Sequence, residues 1–186
     1  VATMNDHGKL APVVIGDKGG VLRLPPVLNT YIVIPGIIGP KGSRTFFGKG
    51  KSVDNSKRGN AWTKHALPFV LERADTIPDH YKQSDMPVVL LASYVFPQFK
   101  TVKRRWPVSR TSHGDKDKLD RRLFDALVDG GMLKDDAYII GSWSHKRFAR
   151  EGETPHVYVE ICYGEAMRVH ERVETFVREQ HFNGID

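Results

Sequence analysis

Residues 88–96, VVLLASYVF, are the most apolar run of the chain and follow directly on Pro87. A run so short and so nearly continuous is read as a strand buried in a sheet, which needs other layers packed around it. Leu28–Ile34, rich in β-branched and aromatic residues and ended by Pro35-Gly36, is a second strand. Asn60–Ala74 reads as a helix, capped by Asn60, with Trp62, Ala66, Phe69 and Val70 inward; Pro68 in its interior predicts a kink or a later start. Residues 75–86 form a polar linker. Ala137–Lys146 is a strand and Lys146–Gly152 a charged turn. His156–Tyr163 then alternates, with Val157, Val159, Ile161 and Tyr163 on one face and Tyr158, Glu160 and Cys162 on the other. The short polar turn between these last two strands suggests a hairpin. The element order predicts a mixed α/β fold: a small mixed sheet with helices packed mainly on one face.

Between these elements lies the segment with the most chemistry, Asp115 to Ile140. Two residues apart on a helix diverge by about 200°, so Asp115 and Asp117 converge only if Asp115 sits in the incoming loop and Asp117 caps the helix. Asp120 adds a capping-box-like acid in the first turn. Leu119, Leu123, Ala126 and Leu127 form the apolar stripe, with Phe124 beside it; Arg121, Arg122 and Asp125 are the polar side. Gly130-Gly131 supplies a left-handed stop. Asp135 and Asp136 then precede the strand. The helix carries the chain roughly 18–20 Å away from Asp117, and residues 131–136 can span about 20 Å if extended. The return is nearly taut, so Asp136 of the same chain and Asp136 of the partner subunit both stay open as the third acid. Three gathered carboxylates suit a hard cation such as Mg²⁺. On spacing alone, an ordinary N-cap and a polar turn remain open too.

The same segment resembles the RusA-type Holliday-junction resolvases, the crossover junction endodeoxyribonucleases common in phages and prophages. Their core pattern is D-x-D-N-L-x-K, a helix carrying F-D-A-L, then a D-D pair entering a strand. Here it stands as Asp115-Lys116-Asp117-Lys118-Leu119-Asp120-Arg121, Phe124-Asp125-Ala126-Leu127 and Asp135-Asp136. The resemblance implies a RusA-like domain over residues 28–164, flanked by an N-terminal extension (1–27) and a C-terminal helical extension (165–186). It implies catalytic and metal-binding roles for Asp115, Asp117 and Asp136, with Mg²⁺ as the cofactor and Mn²⁺ as a substitute, and a homodimer. The family's catalytic lysine falls on Arg121 and its asparagine on Lys118. An arginine can clamp a phosphate but cannot deprotonate.

Charge agrees with an anionic partner. The chain has 28 Lys or Arg against 22 Asp or Glu, a net charge of +6 and a pI near 9.4, a balance that favours nucleic acid. Residues 97–122 hold nine Lys or Arg and three Asp, and residues 41–58 hold six against one. Lys41, Arg44, Lys100, Lys103, Arg104, Arg105, Arg110 and Lys118 are the candidate DNA-binding cations, with Trp106 among those of the second segment. Phe46 and Phe47 either stack on unpaired bases or divide between core and surface. Val13–Ile15 and Val21–Leu24 suggest a small hairpin in the N-terminal extension, and Glu165–Gln180 an amphipathic helix in the C-terminal one. Cys162 is the only cysteine, which excludes an intrachain disulfide and points away from a thiolate zinc site. No apolar run reaches the roughly 18 residues of a bilayer span, and no signal peptide is read at the start. The expectation is therefore a cytoplasmic, metal-dependent nuclease of recombination and repair that cuts branched DNA. The alternatives are a non-catalytic branched- or single-stranded-DNA-binding protein and a less selective flap or duplex nuclease.

Overall fold

The computed structural model describes residues 28–42, 57–82, 85–98, 106–108 and 113–164, together with the backbone of four short strands outside them. Those four make two antiparallel hairpins: β1 (Val13–Ile15) with β2 (Val21–Arg23), as expected, and β4 (Arg44–Phe46) with β5 (Ser52–Asp54). The second hairpin lies within the basic segment 41–58, where no strand was expected. The Glu165–Gln180 helix falls outside the described residues.

The apolar run is β6 (Val88–Phe96), and all nine of its residues are buried. It lies inside a four-stranded mixed sheet, flanked by β7 (Ile139–Phe148) in parallel and β8 (His156–Tyr163) antiparallel, with β3 (Leu28–Pro35) beyond β8. The expected β7–β8 hairpin does not form. From Val159 to Tyr163 β8 is buried on both faces and takes an interior place, whereas β7 carries Ser142, Ser144, His145, Lys146 and Arg147 and takes the edge. The chain therefore passes over β6 between them. Strand β7 also runs to Phe148, into the segment expected to be a turn, because its backbone keeps pairing with β6 as far as Phe96.

Two helices cover the face that carries Ile32, Ile34, Leu90, Ala92, Tyr94, Val157, Val159 and Ile161. Helix α1 (Lys57–Asp75) starts three residues before the expected Asn60 and runs unbroken through Pro68. Pro68 removes the donor for the Lys64 carbonyl, but both residues are exposed, so water can take that bond. Trp62, Ala66, Val70 and Ala74 face inward. The supposed linker after it holds a short helix, α2 (Asp79–Lys82), and buries Ile77 and Tyr81.

Helix α3 (Lys116–Asp129) connects β6 to β7 and buries Leu119, Leu123, Ala126 and Leu127 as its stripe predicts. Its end is a full Schellman turn: Met132 N–H donates to Leu127 O (2.9 Å) and Gly131 N–H to Val128 O (2.9 Å), with Gly131 at φ +72°. The Tyr163 hydroxyl donates to Met132 O (2.6 Å), tying that end of α3 to β8. Among the described residues no helix is long and apolar enough to cross a membrane.

Candidate functional site

Gly114 turns the chain at φ +71° into Asp115, which is extended (φ −76°, ψ 143°) and occupies the N-cap position of α3. The N-cap is therefore Asp115 and not the expected Asp117. The helix instead starts at Lys116, because the Asp115 carbonyl already accepts the N–H groups of Lys118 and Leu119 (both 3.1 Å). Asp117 lies in the first turn. Both carboxylates thus belong to the positive end of the helix, one just outside it and one just inside. The Asp115 side chain is 41% exposed and makes no capping bond; Asp117 is 62% exposed. Lys118 Nζ stands 3.7 Å from Asp115 and Arg121 3.9 Å from Asp117, both loose, solvent-screened pairs.

Asp120 does not act as a capping-box acid. It is buried and accepts hydrogen bonds from the Tyr94 hydroxyl (2.7 Å), the Ser144 hydroxyl (2.6 Å) and Lys116 Nζ (2.8 Å). Lys116 also donates to Ser144 Oγ (2.7 Å). Burial, and then the Asp120 charge, push the Tyr94 phenol well above its ordinary pKa, so it stays a donor. This network bolts the first turn of α3 to β6 and β7. Arg122, read as part of the polar side, is buried too, and its guanidinium reaches Asn60 (3.2 Å) and Thr63 (3.3 Å) on α1.

Two more side chains at this end were missed from sequence. Lys146, on β7 opposite Tyr94, is half-buried and donates to Gly114 O (2.9 Å). Burial lowers its pKa, and the nearby Asp115 carboxylate pulls in the opposite direction. The His113 ring packs edge-on against Phe96 (4.9 Å) and Phe148 (5.7 Å). Its pKa is lowered by burial first, then by the charges of Lys146 and Arg58. A signal for Lys146 was present in the alternation of β7: Ser142, Ser144 and Lys146 share the face turned to the helices, where an oily face would be expected.

Both basic segments are anchored here. Lys41 N–H donates to Lys118 O (3.1 Å). A Cβ on Gly39 would stand 2.7 Å from the backbone of Arg58 and Gly59, and one on Gly114 would stand 2.7 Å from Pro40. The segment between Lys41 and Lys57 therefore leaves and returns beside the start of α3, and the segment after Phe96 ends there. Lys41 itself is committed to Asp125 (2.7 Å). Only the backbones of Arg44 and Phe46, in β4, are described; Phe47, Lys100, Lys103, Arg104, Arg105 and Arg110 lie outside the described residues. Trp106 is exposed.

The second acid pair lies elsewhere. Asp135 caps a single 3₁₀ turn (Asp136–Tyr138) by accepting from Ala137 N–H (2.8 Å), and Asp136 is exposed. That turn leads into Ile139, opposite Val88 at the start of β6, whereas Lys146 and the Gly114 carbonyl it holds lie opposite Tyr94. Asp136 is thus at the other end of α3 from Asp115 and Asp117, roughly 20 Å of helix away. The return that chain length allowed is not made, because the Schellman turn and the buried Met132 and Leu133 lead straight into β7. Among the described residues no three His, Cys, Asp or Glu side chains are grouped so as to hold a metal ion. The chain matches no known protein-family model and no curated protein.

Proposed function

We propose that this chain is a divalent-metal-dependent endonuclease acting on branched DNA, four-way junctions foremost, as a homodimer. What carries this reading is the anchoring of both basic segments beside the exposed carboxylates of Asp115 and Asp117. Carboxylates repel phosphate unless a cation stands between them, so acids and cations at one edge suit a metal-assisted phosphodiesterase. Asp115 and Asp117 would hold Mg²⁺ or Mn²⁺, with the third acid supplied by Asp136 of the partner subunit. The distance within one chain supports that assignment, and a two-fold dimer also matches the two strands to be cut. When bound, the cation would supply Lewis-acid activation of the phosphate and of water. Hydrolysis joins a water oxygen to phosphorus and breaks one P–O ester bond; the departing oxygen takes up a proton and the water loses one. Arg121 and Lys118, released from their loose pairs, would lean on the phosphate charge. The basic segments would grip backbone without reading bases. Such a protein would work in the cytoplasm, in DNA recombination or repair.

A second reading, a non-catalytic branched-DNA-binding protein, is favoured by one observation: each acid already has its own cation on α3, at 3.7 and 3.9 Å. Cleavage of a labelled four-way junction beside a matched linear duplex separates the two. Metal-dependent nicks confined to the junction, abolished by Asp117→Asn, are expected. Cutting of both substrates would mean a less selective nuclease, and binding without cleavage under Mg²⁺ or Mn²⁺ would leave the binding protein. Mixing inactive Asp117→Asn and Asp136→Asn chains tests the shared site, because a mixed dimer then keeps one intact acid set. Recovered nicking is expected; no recovery would place all three acids in one chain.

A further inference from the structure

We propose that Lys146 is a phosphate-holding residue of this site, reaching DNA from β7 rather than from α3. The inference rests on the nuclease or DNA-binding reading of the α3 N-terminus and names the side chain that engages the phosphodiester there. Among the described residues, four lysines surround the first turns of α3. Lys41 is paired with Asp125 (2.7 Å), Lys116 with the buried Asp120 (2.8 Å) and Lys118 with Asp115 (3.7 Å). Lys146 differs: among the described residues its hydrogen-bond partner is the neutral carbonyl of Gly114 (2.9 Å), and it has no carboxylate in ion-pair contact. An ammonium has three donors, so two N–H groups remain for an incoming oxygen.

Its placement suits that task. A half-buried cation with no described carboxylate in contact, whose burial the nearby Asp115 charge only opposes, carries a desolvation cost that a phosphate oxygen would offset, and in partly excluded water the attraction exceeds that of an exposed lysine. Lys146 is carried on a strand paired along its length to β6, and the Gly114 bond fixes its tip one residue before Asp115. Lys118 and Arg121 extend from an exposed helix surface and must first leave Asp115 and Asp117. Among the described lysines around this helix end, Lys146 is the one already held toward the site without a carboxylate in contact.

The test is read first without metal. In EDTA, binding of a fluorescent four-way junction is measured across a salt series for wild type, Lys146→Gln and Lys146→Arg. Loss of one phosphate contact should lower the slope of log K against log salt by about 0.9, with the arginine variant keeping it. With Mg²⁺, single-turnover cleavage at saturating DNA should fall about 10²–10³-fold in Lys146→Gln and be partly restored by arginine. A purely structural role in pinning Gly114 would lower Tm and leave the salt slope unchanged, and that result would overturn the proposal. Should Lys146→Gln fail to fold, acetylation of wild-type lysines with and without junction DNA decides instead. Protection of Lys146 supports the contact, and equal labelling removes it. A wild type that binds but never cleaves, with the slope still dependent on Lys146, would end the nuclease reading and keep the phosphate contact.

Discussion

Replacing Asp120 should cost more stability than any other acidic residue of α3, through its three partners. In Asp120→Ala the Tyr94 hydroxyl, fully buried, loses its acceptor at 2.7 Å; Ser144 and Lys116 lose theirs at 2.6 and 2.8 Å but keep each other at 2.7 Å. A hydrogen bond to a charged group contributes about 1.5–3 kcal/mol, and an orphaned buried donor costs about 1–3 kcal/mol. With one donor stranded and two able to re-pair, the expected loss is about 3–5 kcal/mol, a large share of a typical domain's total. Asp120→Asn keeps an acceptor for Tyr94 but turns an amide N–H₂ toward Lys116 or Ser144, and should cost about half as much. Tyr94→Phe removes the stranded hydroxyl. In urea-unfolding measurements, Asp120→Ala/Tyr94→Phe should therefore be more stable than the sum of its parts by about 1–2 kcal/mol. Additivity within about 0.5 kcal/mol, or an Asp120→Ala loss below about 1 kcal/mol, would refute the coupling and with it the bolt between α3 and the sheet.

Two further outcomes follow from contacts around that frame. Glu153 is held at a pKa of about 2, against an ordinary 4.5, chiefly by the Arg147 guanidinium (both bonds 2.6 Å), with a bond from Arg150 N–H added and burial opposing. A depressed carboxyl stabilises the fold above pH 4.5 and loses that contribution as pH falls toward 2. Wild type should therefore lose on the order of 2–3 kcal/mol more than Glu153→Gln between neutral pH and pH 2; parallel urea-unfolding free energies across that range would count against the pair. Gly39→Ala places a Cβ 2.7 Å from the Arg58–Gly59 backbone, which cannot yield as a flexible side chain would. It should lower stability by about 1–3 kcal/mol and weaken junction binding without removing a charge; unchanged Tm and unchanged Kd would show that the close approach is not needed.

Helix α3 and its neighbours divide into features that local sequence encodes and features that packing decides. The stripe at Leu119, Leu123, Ala126 and Leu127 and the Gly131 stop were legible because they depend on local periodicity and on one backbone conformation. Asp120 and Arg122 were not, because helical period assigns charged residues to water. In the fold α3 is wedged between the sheet and α1, so its buried arc extends past the apolar stripe: Asp120 meets Tyr94 and Ser144 on one side, and Arg122 meets Asn60 and Thr63 on the other. Strand order was hidden for a related reason. Nothing local in residues 149–155 distinguishes a hairpin turn from a connection over β6, and the choice is made by which strand can be buried on both faces. The acids divide along the same line. Asp115 and Asp117 are neighbours in sequence and share one helix end. Asp136 was constrained only by reach, and reach sets an upper bound on where a residue can go. Once β6 and β7 pair in parallel, the helix between them must run back along the sheet, and its two ends, with the two acid pairs, are separated by its length. Under the proposed reading, the third acid would therefore come from a second chain as a consequence of strand direction. The same parallel pairing sets Lys146 opposite Tyr94, at the end of the sheet that Asp115 and Asp117 occupy. Strand direction thus separates Asp136 from Asp115 and Asp117 and brings Lys146 to their end of the sheet.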